Sequence, residues 1–265
     1  MKFQFYPTTR ALQPFLQGYL EADSRKSTSV EAHTLFPNGF SGIFFNFGNL
    51  GKLLIKEAHA TPAVSIFGQI DQSFEAIHWP GSYSLGVLFK PTALSRFLRI
   101  DMSELTNRTE DGTKLNKNFL TLHQQLGEVQ SVANKIELLD RFFLTTLRDL
   151  ETTSVVDRAL DIIHHASFVS IRKVSEELGI SERYLETQFK KNVGLSPKTY
   201  SLITRFKKME QQLKANASAN WGRLDFAHEY YDQNHFIKEF RRFTGHTPSE
   251  YLLRNFEMGR SYLVS

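Results

Sequence analysis

The segment Phe189-Lys190-Lys191-Asn192-Val193-Gly194-Leu195-Ser196-Pro197-Lys198-Thr199-Tyr200 returns as Phe240-Arg241-Arg242-Phe243-Thr244-Gly245-His246-Thr247-Pro248-Ser249-Glu250-Tyr251, at an offset of 51 residues (240 minus 189). An internal repeat means one supersecondary unit used twice. Each copy ends a helix on paired basic residues, stops it at glycine, and restarts the chain with Ser or Thr as N-cap and Pro in the first helical position. Two basic helical modules in one chain suggest DNA as the partner.

Working back from the first copy, Ser170 is a helix N-cap, Ile171, Val174 and Leu178 share one face, and Gly179 is the stop. Ser181 then caps a second helix whose Leu185 and Phe189, with Tyr184 beside them, face inward. Its outward face presents Glu182, Arg183, Glu186, Thr187 and Lys190, with Lys191 placed for phosphate. Two helices about a short glycine turn form a helix-turn-helix, whose second helix enters the major groove. Helical hairpins with glycine turns also occur in ordinary cores, and Glu182 and Glu186 disfavour DNA unless they accept from a cytosine amino group. The repeat tips the reading toward DNA. A connecting helix from Pro197 to about Lys214 would be about 27 Å long, close to the roughly 34 Å of one duplex turn. Arg205, Lys207 and Lys208 lie along it, either on phosphates or on a solvated face.

In the second copy Trp221 and Leu224 open an apolar stripe and Asp232 can cap a helix starting at Gln233. Phe236, Phe240 and Phe243 read as core. Outward lie Gln233, Asn234, Lys238 and Arg241: Gln and Asn pair with adenine, Lys with guanine, Arg with guanine or phosphate. His235 and Arg242 are placed for phosphates, or for solvent.

The 265-residue chain is long enough for two cored domains. It has no cysteine, which excludes disulfides, thiolate metal sites and cysteine nucleophiles. No apolar run reaches the roughly 20 residues of a membrane span, and residues 1–7 show no signal-peptide core, so a cytoplasmic location is expected. Residues 155–265 hold 17 Lys/Arg against 13 Asp/Glu, which accounts for the whole net charge of +4. The basic excess therefore lies with the repeat. No catalytic residue, metal or cofactor is expected: His33, His59 and His78 stand apart, without the spacing a metal-dependent barrel enzyme needs.

Residues 1–114 read as a β-rich domain. Short apolar runs such as Leu35-Phe36, Ile43–Phe47, Leu53–Ile55, Val64–Gly68 and Ser84–Phe89 alternate with turn residues, the pattern of a sandwich or barrel. Pro91–Leu98 reads as a short helix opened by Pro. Residues 115–154 read as a helical connector or dimerisation segment, with Leu115, Phe119, Leu122 and Leu126 as one stripe and Leu138, Leu139, Phe142, Phe143 and Leu147 as another. The joint to the C-terminal domain, 155–265, falls at Glu151–Ser154. The fold class is α+β: a barrel- or sandwich-like domain with flanking helices, then an all-α double helix-turn-helix joined by a linker helix.

The paired modules, the closing motif Gly245-His246-Thr247-Pro248-Ser249-Glu250-Tyr251 and the run Tyr231–Phe236 resemble the AraC/XylS transcription regulators over about residues 155–255. The resemblance implies base reading by Arg183, Glu186 and Thr187 in the first module and by Gln233, Asn234 and Lys238 in the second. It further implies double-stranded DNA and RNA polymerase as partners, and a small-molecule effector or a homodimer formed through the N-terminal half. Phe44, Phe45, Phe47, Phe67, Phe74, Trp79 and Tyr83 would line an effector pocket or simply fill the core. The family pattern has Ala in the first helix of each module and Gly in the turn; the first module has Ser175 and Gly179 there. In the second, ungapped counting puts Asp225 and Glu229 at those positions, and aligning Ala227 needs two missing residues, so its turn is unusual. The related DNA-repair methyl acceptor needs a cysteine that is absent here. The remaining rival is a degenerate regulator working through protein contacts.

Overall fold

The structure, a computed structural model, describes residues 1–54, 58–147, 154–165, 169–215 and 233–253. Ten strands are seen: β1 (Lys2–Tyr6), β2 (Leu16–Asp23), β3 (Glu31–Leu35), β4 (Ser41–Phe47), β5 (Lys52–Leu54), β6 (Ala58–Ala60), β7 (Val64–Phe67), β8 (Phe74–His78), β9 (Tyr83–Phe89) and β10 (Thr109–Asp111). They form a six-stranded sheet, order β1-β2-β9-β4-β7-β10, and a four-stranded sheet, order β3-β8-β5-β6, antiparallel throughout. Of the two architectures expected, the sandwich is observed; neither sheet closes into a barrel.

Alternation along β4 and β9 gives the large sheet two working faces. Ile43 pairs with Val87 and Phe45 with Leu85, all fully buried toward the helices. On the other face Phe44 lies across Gly86, where an added Cβ would come within 2.4 Å of its ring. The glycine therefore makes room for the aromatic. Phe44 meets Phe67 edge-on at 5.2 Å, and Phe67 stacks with Phe74 at 6.4 Å, toward the small sheet. The aromatic set thus divides: Phe45, Phe47 and Tyr83 join the helix-side core, Phe44, Phe67 and Phe74 lie between the sheets, and Trp79 is exposed.

Four helices accompany the sheets: α1 (Ala93–Leu98), α2 (Gly112–Leu115), α3 (Asn118–Glu128) and α4 (Val132–Leu147). Helix α1 starts two residues later than the Pro91 start expected, because the Ala93 amide closes a turn on Lys90 O at 3.0 Å. The first stripe also shortens. Leu115 ends α2 and is 42% exposed, since the chain turns extended at Asn116 before α3 begins; Phe119, Leu122 and Leu126 are buried. On α4 Leu139, Phe143 and Leu147 are buried, while Leu138 and Phe142 are only partly covered. Phe119 meets Phe45 at 6.1 Å and Phe143 meets Phe89 at 5.5 Å, so both stripes pack on their own sheet.

The C-terminal half is helical: α5 (Val155–His165), α6 (Ile171–Leu178), α7 (Glu182–Val193), α8 (Pro197–Ala215), α9 (Gln233–Thr244) and α10 (Pro248–Leu253). Ser170 Oγ accepts from Lys173 N, Ser181 Oγ accepts from Tyr184 N at 3.2 Å, and Gly179 sits at φ +67°, as the sequence predicts. One core joins both modules, with Val174, Leu185 and Phe189 from the first, Ile203, Phe206 and Met209 from α8, and Phe236, Phe240 and Phe243 from the second. The 19 residues of α8 span about 28 Å. The second module's expected turn, with Trp221, Leu224, Ala227 and Asp232, and linker residues 151–153 lie outside the described residues.

Among the described residues the halves touch through the following contacts. Arg96 and Thr92 reach Asp157 on α5; Thr106 Oγ1 donates to Gly194 O at 2.5 Å, just after α7; and the turn between β3 and β4 enters the helical core. In that turn Phe36 meets Tyr251 edge-on at 5.6 Å, Gly39 lies on the Tyr200 ring, and Phe40 lies 4.5 Å beneath the Lys207 ammonium. Gln69 Nε2 braces the turn by donating to Gly39 O at 2.9 Å.

Candidate nucleic-acid interface

Helix α7 buries Leu185, Phe189 and Val193, which lie within about 80° of one another at 100° per residue. Opposite them stand Arg183, Thr187, Lys190 and Lys191, all exposed with the whole chain in place. Glu182 and Glu186 are exposed on one flank of this face. Thr187 Oγ1 donates to Arg183 O at 2.9 Å, which commits its proton and leaves its lone pairs as acceptors toward the outside. Lys190 and Lys191 fall in the last turn, where they complement the helix dipole, and Gly194 at φ +93° ends the helix behind them. Tyr184 departs from the inward reading. It is 48% exposed, because at 100° per residue it falls about 100° from Leu185 and outside the buried arc.

In the second module α9 buries Phe236, Phe240 and Phe243 and exposes Asn234, Lys238, Arg241 and Arg242. Asn234, Lys238 and Arg241 follow i, i+4, i+7 and share one stripe. Gln233 begins the helix; its side chain and that of His235 lie outside the described residues. Thr247 and Glu250 form a reciprocal cap at the start of α10: Thr247 N donates to Glu250 Oε2 at 2.7 Å and Glu250 N to Thr247 Oγ1 at 3.3 Å. The Thr247 amide, and after it the Thr247 hydroxyl, hold the Glu250 carboxyl below its usual range.

Two cations of the connecting helix, Arg205 and Lys207, have other partners. Arg205, read as a phosphate or solvent residue, is buried against Glu239 of α9. Lys207 sits over Phe40, and burial pulls its amine down to about 8. Lys208 keeps partial exposure. Periodicity places such residues on a helix but does not say which neighbour covers them. The Arg205–Glu239 partnership, across 34 residues, had no local signal.

Residues 174–254 match the family described as a helix-turn-helix domain, and residues 4–111 match a family described as a domain of unknown function (DUF6597). The C-terminal region therefore carries a helix-turn-helix domain, in agreement with the AraC/XylS resemblance of the sequence. No curated protein matches the chain. Among solved structures, ToxT from Vibrio cholerae in its P21 form is similar at 11% identity and a TM-score of 0.47, covering 85% of this chain and 97% of that one. Wild-type ToxT from Vibrio cholerae strain SCE256, bound to an unsaturated fatty acid, shares 13% identity at a TM-score of 0.44 over 88% and 97%. The AraC-like transcriptional activator CuxR gives 16%, 0.22, 76% and 73%. Likenesses this loose carry no information on ligand or site. No helix among the described residues is long and apolar enough to cross a membrane.

Proposed function

We propose that this chain binds double-stranded DNA at specific sequences by setting α7 and α9 into successive major grooves of one duplex face. The observation that carries this reading is the exposure, in the full chain, of both outward faces: Arg183, Thr187, Lys190 and Lys191 on one helix, and Asn234, Lys238, Arg241 and Arg242 on the other. A connecting helix of about 28 Å suits heads placed one turn apart. Phosphate contacts by Lys190, Lys191, Arg241 and Arg242 supply affinity, while Arg183, Glu186, Thr187, Gln233, Asn234 and Lys238 supply discrimination. The N-terminal half controls the activity through a small effector or by homodimer formation, and the bound regulator meets RNA polymerase.

The exposed carboxylates of Glu182 and Glu186 support a second reading, a regulator that has given up specific DNA binding for protein contacts. Selection of bound fragments from genomic DNA with the purified protein separates the two. An enriched site is expected. On it, Gln233→Ala should relax preference at one base position, whereas Lys191→Ala should weaken all duplexes alike and reduce the salt dependence by about one counterion. If no site is enriched and neither variant alters affinity, the second reading holds.

A further inference from the structure

Arg205 of α8 and Glu239 of α9 are 8% and 7% exposed. Arg205 Nε donates to Glu239 Oε1 at 3.2 Å, and its Nη2 donates to Oε2, so the guanidinium grips the carboxylate with both arms. A buried pair of this kind contributes little net stability, because desolvation offsets most of the attraction, and apolar residues of similar size often serve as well. The neighbouring contacts are apolar: Phe206 meets Phe240 at 5.3 Å and Phe243 at 5.2 Å. Burial of such rings is non-directional and tolerates sliding and rolling of one helix on the other. The planar two-armed contact tolerates neither. It stands on the helix that carries Asn234, Lys238 and Arg241, and it anchors that helix to the one running directly on from the first module.

We propose that Arg205 and Glu239 are a positioning pair that fixes the phase and separation of the two reading faces, and thereby the spacing of the two DNA segments this protein accepts. The inference rests on the DNA-binding reading above. One base pair inserted between the segments displaces the second by about 3.4 Å and rotates it by about 34°. A rigidly phased α9 cannot follow that shift, whereas an α9 without the pair, with Tyr251 of α10 still bonded to Glu210 of α8, has more freedom to do so.

The test uses the full-length protein and the tightest duplex it selects from a random pool, together with versions carrying one base pair added or removed between the contacted segments. The wild type should lose about tenfold or more for either change. The double variant Arg205→Met with Glu239→Met should unfold at or above the wild-type temperature, bind the selected duplex, and lose less than about threefold on the spacing changes. Arg205→Lys, which keeps the charge without the fork, should fall between and serves if the double variant does not fold. Wild-type spacing penalties retained in a folded variant, or a wild type indifferent to spacing, overturn the inference and leave DNA binding standing. A wild type that selects no duplex overturns both.

Discussion

Arg96 and Asp157 join the two halves where the second begins. The Arg96 guanidinium in the last turn of α1 donates to Asp157 Oδ2, and Thr92 Oγ1 donates to Oδ1 at 2.6 Å. The same carboxylate starts α5: Ser154 N donates to Asp157 Oδ2 at 2.7 Å while Asp157 N donates to Ser154 Oγ at 3.2 Å. One side chain therefore completes a capping box and docks a domain.

Asp157→Ala should remove both roles. The Ser154 cap survives through the residue-157 amide, but loss of the bond from Ser154 N costs about 1 kcal/mol, and a largely buried Arg96, 17% exposed, left without its carboxylate costs about 2 kcal/mol more. Calorimetry should show the helical half melting earlier, apart from the β-rich half. An unchanged single transition would contradict the docking role.

Gly194 and Gly245 occupy equivalent points of the repeat, at φ +93° and +74°. Alanine at either position adds about 1 kcal/mol of backbone strain. At Gly194 the new Cβ would also come within 2.8 Å of Met102 O, whereas at Gly245 nothing among the described residues lies within 4 Å. Urea unfolding should therefore show Gly194→Ala as the more destabilised by at least about 1 kcal/mol. Equal losses would mean that the contact with residue 102 yields freely.

Lys207→Met should stabilise the protein at pH 7. Burial holds the Lys207 amine at about 8, so keeping it charged in the fold costs about 3 kcal/mol relative to an exposed lysine. The Phe40 ring offsets about 2 kcal/mol of that. The expected gain is about 1 kcal/mol in denaturant unfolding, and it should shrink as pH rises from 8 toward 10.4, where the folded lysine is already neutral. A loss at pH 7 would show that the ring contact outweighs desolvation.

His78, between the sheets with Phe3 at 6.2 Å and His33 at 5.6 Å, is pushed down to about 4 by burial and by the nearby His33. Its folded value lies below its unfolded one of about 6.5. Above that pH the histidine is neutral in both states. As pH falls from 6.5 to 4 the unfolded chain takes up a proton that the folded one refuses, and stability drops by about 3 kcal/mol. Stability measured across this window should fall less steeply in His78→Phe. Identical slopes would assign the pH response to other groups.

What could be read in advance was what is local. Ser170, Gly179, Ser181, Gly194 and the Ser196-Pro197 restart act on the backbone within a few residues, so spacing revealed them. The exposed faces of α7 and α9 followed from the buried Leu185, Phe189, Phe236 and Phe240 by periodicity. Tyr184 was misplaced although the same period sets it about 100° from Leu185, and Arg205 escaped because its partner lies in the other module. Leu35-Phe36 read as a strand run closed by turn residues; only the tertiary structure shows that Phe36 belongs as much to the helical core.

That turn has a consequence for control. The β-rich half touches α8 and α10 through Phe36, Gly39 and Phe40, and supports the end of α7 through Thr106, while the outward faces of α7 and α9 stay open. A partner held from behind does not mask these faces, so on the proposed DNA-binding reading no shield has to leave before they meet a duplex. A signal arriving in the sheets would act as a hand on a pair of calipers, altering how far apart and how steadily the points are held.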